Sequence, residues 1–185
     1  MVQPPGMPFD FQPVLKGALV ELRPLRSEDF PALYAVASDP LIWEQHPVRD
    51  RYTEPVFTTF FHEALACGGT LIAIDRKDGR IIGSSRFHGY AEEKSEIEIG
   101  WTFLARSHWG GQYNKEMKHL MLQHAFRFVN SVIFLVGLQN LRSQRAVEKI
   151  GGVPIGLRPD ASGRDSFVYR IQAPYLGLTQ DNLTR

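Results

Sequence analysis

Between Glu96 and Phe128 the chain changes its periodicity at one point, and that change constrains the fold more than any other segment. Through "EIEIGWTF", apolar and polar residues alternate with the period of two expected of a half-buried strand. Beyond Gly110-Gly111, Tyr113, Met117, Leu120, Met121, His124, Ala125 and Phe128 recur at helical spacing. Lys115, Lys118, Gln123 and Arg127 fall elsewhere on the wheel. The next run, "VIFLVGL", is short, continuously apolar and reads as a buried strand. Strand, helix and buried strand in succession make a crossover, so the sheet is mixed and carries helices on its faces.

The remaining elements fit around that unit. "ALVELRPL" (Ala18–Leu25) alternates as a strand. Ser27 is placed to cap a helix from about Glu28 to Ala37, with Glu28 and Asp29 near the positive end of its dipole. The stretch "DPLIWEQHPVRDRY" is turn-rich and irregular. Thr53 caps a second helix with Pro55 in its first turn and Gly68-Gly69 as its stop. Strands are expected over Thr70–Asp75, Arg80–Tyr90 and Ser95–Phe103, joined by the turns "RKDG" and "AEEK". After the crossover strand (Val132–Leu138) come a helix from about Leu141 to Ile150, the stop Gly151-Gly152, and a hairpin of Val153–Arg158 with Ser166–Gln172. The order β-α-α-β-β-β-α-β-α-β-β describes one α/β (α+β) domain with a mixed, mostly antiparallel sheet.

At 185 residues the chain suits one domain with a real core. A net charge of +1 gives no electrostatic reason to bind nucleic acid or a membrane surface. The single cysteine, Cys67, excludes an internal disulfide and suits a reducing compartment. Ending the helix "EALACGG", it reads as a small packed residue rather than a nucleophile. The proline-rich start "MVQPPGMPFDFQP" has neither a basic nor an apolar signal-peptide region, and no apolar run is long enough to span a bilayer, so a cytoplasmic protein is expected. No Cys or His spacing suggests a metal.

A strand running into a helix presents the helix's first free N–H groups at the strand's carboxyl end, an arrangement suited to a phosphate or pyrophosphate. Gly110 and Gly111 either let the backbone turn or let it approach a ligand closely. The segment "GGQYNK" fits neither G-x-x-x-x-G-K-[ST] nor G-x-G-x-x-G.

Three segments carry a resemblance: the E-I-G-W strand (Glu98–Trp101), the W-G-x-x-Y-x-x-E turn and helix start (Trp109–Glu116), and N-x-x-S-x-x-A-x-x-K-x-G (Asn140–Gly151). With the element order, they resemble the GNAT superfamily of acetyl-CoA-dependent N-acetyltransferases, and most of all its ribosomal-protein N-terminal acetyltransferase branch, from about Lys16 to Tyr169. The resemblance implies an acetyltransferase domain over residues 14–175, between an irregular arm (1–13) and a tail (176–185). It implies direct transfer to a primary amine, a peptide N-terminus or a small molecule, in a ternary complex. It implies coenzyme contacts from Trp101, Phe103, Arg106, Gly110, Gly111, Gln112, Tyr113, Asn140 and Ser143. The family loop [Q/R]-x-x-G-x-[G/A] is departed from twice, at Ser107 and Gln112.

Transfer requires that the amine lose a proton and that the thiolate gain one. Glu98 is the candidate base. Alternation places Ile97, Ile99, Trp101 and Phe103 on one face and Glu96, Glu98 and Thr102 on the other. If Tyr90 pairs with Glu96, His88 lies opposite Glu98, and Arg86, His88 and Tyr90 complete a polar floor with His88 as an alternative base. A slip of one residue would destroy the cluster. Asn140 suits a helix cap, and the resemblance implies that it contacts the pantetheine arm and that Ser143 gives the thiolate its proton. It also places Trp43 and His46 at the acceptor wall, although the residues alone favour a core Trp43 and a plain loop His46. A catalytically silent acyl-CoA-binding sensor is the rival expectation. Both monomer and homodimer remain open.

Overall fold

The structure, a computed structural model, describes residues 8–160 and 162–174. The expected tail, 176–185, lies outside them. Eight strands form one sheet in the order β1-β2-β3-β4-β5-β6-β8-β7. They are β1 (Leu15–Lys16), β2 (Val20–Pro24), β3 (Thr70–Asp75), β4 (Ile81–Ala91), β5 (Glu96–Leu104), β6 (Ser131–Gly137), β7 (Val153–Pro159) and β8 (Asp165–Gln172). The helices are α1 (Phe30–Ala37), α2 (Glu54–Ala66), α3 (Gln112–Ala125) and α4 (Leu141–Lys149). Every strand pair is antiparallel except β5–β6, which α3 joins as the crossover requires. The expected order holds, with the two-residue β1 added at its start.

Two apolar clusters place the helices. Met117 and Met121 of α3 and Val147 of α4 pack on one face of the sheet with Ile97, Ile99 and Val132. Leu33 of α1 and Phe57, Phe60 and Phe61 of α2 pack on the other with Ile72 and Phe103. Residues 8–14 are irregular, yet Phe9 is buried against Phe87, Phe128 and His124. His124 fixes that segment through Nε2 to the Asp10 carbonyl at 2.7 Å.

Several local expectations need correction. Ser27 caps nothing: it opens a 3-10 turn, and the Asp29 carboxylate takes the Arg26 N–H at 2.8 Å and pairs with Arg23. Thr53 is the N-cap of α2, but its hydroxyl donates to the Asp50 carbonyl. Cys67 is exposed, because α2 ends there and Gly68 turns the chain away at φ +67°. Lys118 is buried rather than on the wet side of α3. Its Nζ donates to Ser85 Oγ at 3.1 Å and to Thr102 Oγ1, and burial pulls its pKa down to about 7.

Candidate active site

β5 and β6 pair only through Glu96–Ser131, Ile97–Val132 and Glu98–Ile133. Beyond Glu98, β5 runs on to Leu104 beside β4 alone, and β6 runs to Gly137 beside β8 alone. Two parallel strands that separate toward their carboxyl ends open a crevice, the ordinary place for a ligand in a sheet with a crossover. The separation coincides with a bulge. Trp101 lies at φ +50°, an uncommon conformation for a bulky residue, and the β4–β5 register shifts between Ser84–Phe103 and Arg86–Gly100.

The bulge rewrites the expected alternation. Ile97 and Ile99 share a face as expected, the one toward α3, but the extra residue moves Trp101 and Phe103 to the opposite face, with Glu98. Trp101 sits edge-on to His88 with ring centroids 5.1 Å apart, while Thr102 moves to the α3 face and binds Lys118. Phe103 is core, packed on Trp43 and Phe60. The pairing of His88 with Glu98 is as expected, but by a different route. Ala91, not Tyr90, pairs with Glu96, because a second irregularity at Gly89 (φ +62°) inserts a residue. Tyr90 therefore leaves the polar face and packs against Phe9.

What remains on that face is Arg86, His88, Glu96 and Glu98. The two carboxylates differ in their surroundings. Glu96 accepts from Ser131 Oγ at 3.2 Å and from Arg170 Nη2 at 3.1 Å, a structural pairing at the base of the crevice. Glu98 takes no hydrogen bond from a described residue. Its nearest ionisable neighbours are His88 Nδ1 at 3.8 Å and Arg158 Nη2 at 4.0 Å. With its side chain only 12% exposed, burial pushes the Glu98 carboxyl up to about 7, against the opposing pull of Arg158 and Arg86. A carboxylate tuned near neutrality and without a fixed donor can take a proton from an incoming group. The His88 ring, about half exposed, is held below its ordinary pKa by burial and by Arg86, so at neutral pH it is also a proton acceptor.

That raised pKa predicts a stability effect. Below pH 4.5 the Glu98 carboxyl is protonated in folded and unfolded chains alike and costs nothing. As pH rises toward 7 only the unfolded chain releases its proton, and folding loses free energy. Glu98→Gln avoids that loss. Its melting temperature is expected to match wild type near pH 4.5 and to exceed it above pH 7, by up to about 3 kcal/mol of stability. Calorimetry across that range checks it, and equal melting points at pH 8 would mean that Glu98 is not desolvated.

At the other end of the crevice, the two glycines have separate reasons. Gly110 adopts φ +70°, which only the turn requires. Gly111 is the N-cap of α3 in extended backbone, and a Cβ there would meet only the Trp109 carbonyl at 4.0 Å. The protein's own packing thus leaves room for a side chain at 111. The N-cap supplies no side-chain acceptor, so the first N–H groups of α3, those of Gln112 and Tyr113 among them, have no capping partner from it. The Tyr113 hydroxyl turns back to donate to Asp75, which His108 also meets at 3.2 Å. Arg106 is paired with Asp39 and is not free beside the loop. Glu116, the acid of the W-G-x-x-Y-x-x-E run, accepts N–H bonds from Ala18, Leu19 and Val20, so its place is structural.

Asn140 caps α4, its Oδ1 accepting from the Ser143 N–H at 3.2 Å, and it is buried where β6 ends. Ser143 is in the first turn of α4. Trp43 is a core residue, 2% exposed, whose indole donates to the Ala37 carbonyl. His46 packs edge-on against it.

Arginines are what sequence reading missed. Arg142 of α4 stacks over Trp109 at 4.0 Å and donates to the Ile42 carbonyl, tying α4 to the glycine loop and to the segment after α1. Arg158 reaches Glu98 from the edge strand β7, and Arg51 covers Trp43 and Phe60. Nothing local marks these residues, since their partners are remote in sequence. A recess of about 1020 Å³ lined by Arg23, Val36, Asp39 and Arg106 lies apart from the crevice and includes none of Glu98, Gly110, Asn140 or Ser143.

Residues 20–153 match the family model described as the acetyltransferase (GNAT) domain. The acetyltransferase from Agrobacterium tumefaciens str. C58 is 28% identical in sequence, with 91% of this chain and 98% of that one superposed at a TM-score of 0.70. A GNAT-family acetyltransferase from Bacillus anthracis, 22% identical, shares the fold over 86% of this chain and 98% of its own at 0.70. Mycobacterium smegmatis RimJ, solved in complex with CoA-disulfide and 22% identical, shares it over 85% and 84% at 0.61. Comparison with curated proteins gives no match.

Proposed function

The chain belongs to the GNAT acetyltransferase family, whose acetyl donor is acetyl-CoA, and on that premise we propose that it acetylates a primary amine directly, with Glu98 as the base. The acceptor is a peptide N-terminus or a small-molecule amine. One observation carries the reading. Glu98, hardly exposed and without a hydrogen-bond donor, sits where β5 and β6 part, with its carboxyl raised to about 7.

The coenzyme supplies an activated acetyl thioester; the chain's residues supply binding, orientation and proton handling. The N–H groups from Gly110 to Tyr113 hold the pyrophosphate at the start of α3, which fits an N-cap without a side chain. RimJ, a relative in fold, has been solved with a coenzyme A derivative. The Asn140 side-chain amide contacts the pantetheine arm at the start of α4. Glu98 takes the amine's proton, directly or through water, as nitrogen bonds to the acetyl carbon. The carbon–sulfur bond breaks, and the thiolate receives a proton from the Ser143 hydroxyl, which regains one from water as Glu98 returns its own to solvent. His88, beside Glu98, is the alternative base.

A ligand that binds only the folded state raises its stability by mass action, by about 2.7 kcal/mol at a hundred times Kd. Acetyl-CoA is therefore expected to raise the melting temperature, and acetate at equal concentration to leave it unchanged. No shift at saturating acetyl-CoA would remove this reading and the sensor alternative together.

A further inference from the structure

Beside Glu98, on the α2 side of β4, the chain holds one buried and one half-buried arginine that it does not neutralise. Arg86 is 4% exposed. Its Nε donates to Thr70 Oγ1 at 3.0 Å, but its Nη2 is buried without a partner. The Nε of Arg51 is buried without a partner as well. Neither guanidinium forms an ion pair with a described residue; Glu63 and Asp50 pull on Arg51, and Cys67, Glu63 and Glu98 on Arg86, only from a distance. Both lie over one ring, Arg51 at 4.5 Å and Arg86 at 5.5 Å from the centroid of Phe60. Cation–π attraction offsets only part of what it costs to bury such a charge without an anion.

His46 adds a third donor. Burial and the nearby Arg51 hold its pKa at about 3, so the ring is neutral. Yet it faces an N–H group at each nitrogen: Val48 N–H at 2.9 Å from Nδ1, and Arg51 Nη1 at 3.2 Å from Nε2. A neutral imidazole accepts at one nitrogen and donates at the other. In either tautomer two donors confront each other with no acceptor between them. Arg164, bonded to the Pro47 carbonyl, lies near the same wall, with Asp160 paired to it at 3.7 Å.

We infer that the acceptor amine carries a carboxylate, which Arg51 and Arg86 bind with help from the surplus donor at His46. This rests on the transfer reading given above. The geometry suits it: Arg86 and His88 share one face of β4 and both meet the Trp101 ring, Arg86 at 4.7 Å and His88 at 5.1 Å from its centroid, so the anion site adjoins the proton-accepting pair. Amine and carboxylate are then separated by a few bonds.

Two matched pairs of probes test this: glutamyl-alanine amide against glutaminyl-alanine amide for a peptide source, and β-alanine against β-alaninamide for a small one. Calorimetric titration is expected to show at least tenfold tighter binding of the acid in one pair, about 1.4 kcal/mol. Arg51→Gln and Arg86→Gln should each erase that preference while coenzyme binding persists. Their melting points should hold or rise, because an unneutralised buried charge has been removed. Equal binding of acid and amide in both pairs, or a preference that survives in both variants, overturns the inference. Selective binding without thiol release from acetyl-CoA would uphold the anion site and sink the transfer reading. Thiol release indifferent to acceptor charge would do the reverse.

Discussion

Replacing Glu98 with glutamine is expected to lower the acetyl-transfer rate by about two to four orders of magnitude, the ordinary worth of a positioned base. The substitution preserves shape and removes basicity, so affinity for acetyl-CoA should barely change. The pH profile identifies the cause. The wild-type rate should climb as pH passes about 7, where the Glu98 carboxyl becomes ionised and able to take a proton. The variant's deficit should narrow at high pH, where more of the amine is already neutral. Ser143→Ala should cost less, since water can replace a hydroxyl donor. If Glu98→Gln matches wild type across the range, Glu98 is only a buried carboxylate, and the proton passes to His88, 3.8 Å away.

Gly111→Val is expected to weaken acetyl-CoA binding at least tenfold, about 1.4 kcal/mol. The native backbone at 111 is extended and a Cβ there has room, so the strain that would accompany a change at Gly110 does not arise. Valine is a poorer N-cap than glycine, which should lower stability by no more than about 1 kcal/mol. Binding must therefore fall further than folding if the glycine exists for a ligand. Parallel titration and thermal melts of the variant decide it, and equal losses would leave Gly111 as part of a plain turn.

The change of periodicity at Gly110-Gly111 was enough to read the β5–α3–β6 crossover from sequence, because strand and helix periods are local properties. The pairing of His88 with Glu98 was also read, but from a register, Tyr90 with Glu96, that the structure does not keep. The rest of the polar floor was not. Two irregularities, at Gly89 and Trp101, each insert a residue, and alternation cannot register them; Tyr90, Thr102, Trp101 and Phe103 all changed face in consequence. The ion pair of Arg106 with Asp39 and the approach of Arg158 to Glu98 join residues far apart in the chain, and only the fold brings them together. Lys118 falls off the apolar stripe of the helical wheel, and only the fold shows that it reaches Ser85 and Thr102 on the sheet.

Arg51 was likewise invisible, lying in a stretch that reads as turn-rich loop. Its significance comes from a fact that no pattern carries, a buried donor with no acceptor.

Thiol release from acetyl-CoA, measured over a panel of peptides and small amines with the mass of each acceptor recorded, tests the proposed activity most directly. The expected result is stoichiometric: one thiol released for each acetyl group gained by a primary amine, from wild type and hardly at all from Glu98→Gln. A protein that acetyl-CoA stabilises against heat, yet that releases no thiol with any amine in the panel, would contradict it and leave a coenzyme-binding module without transferase activity.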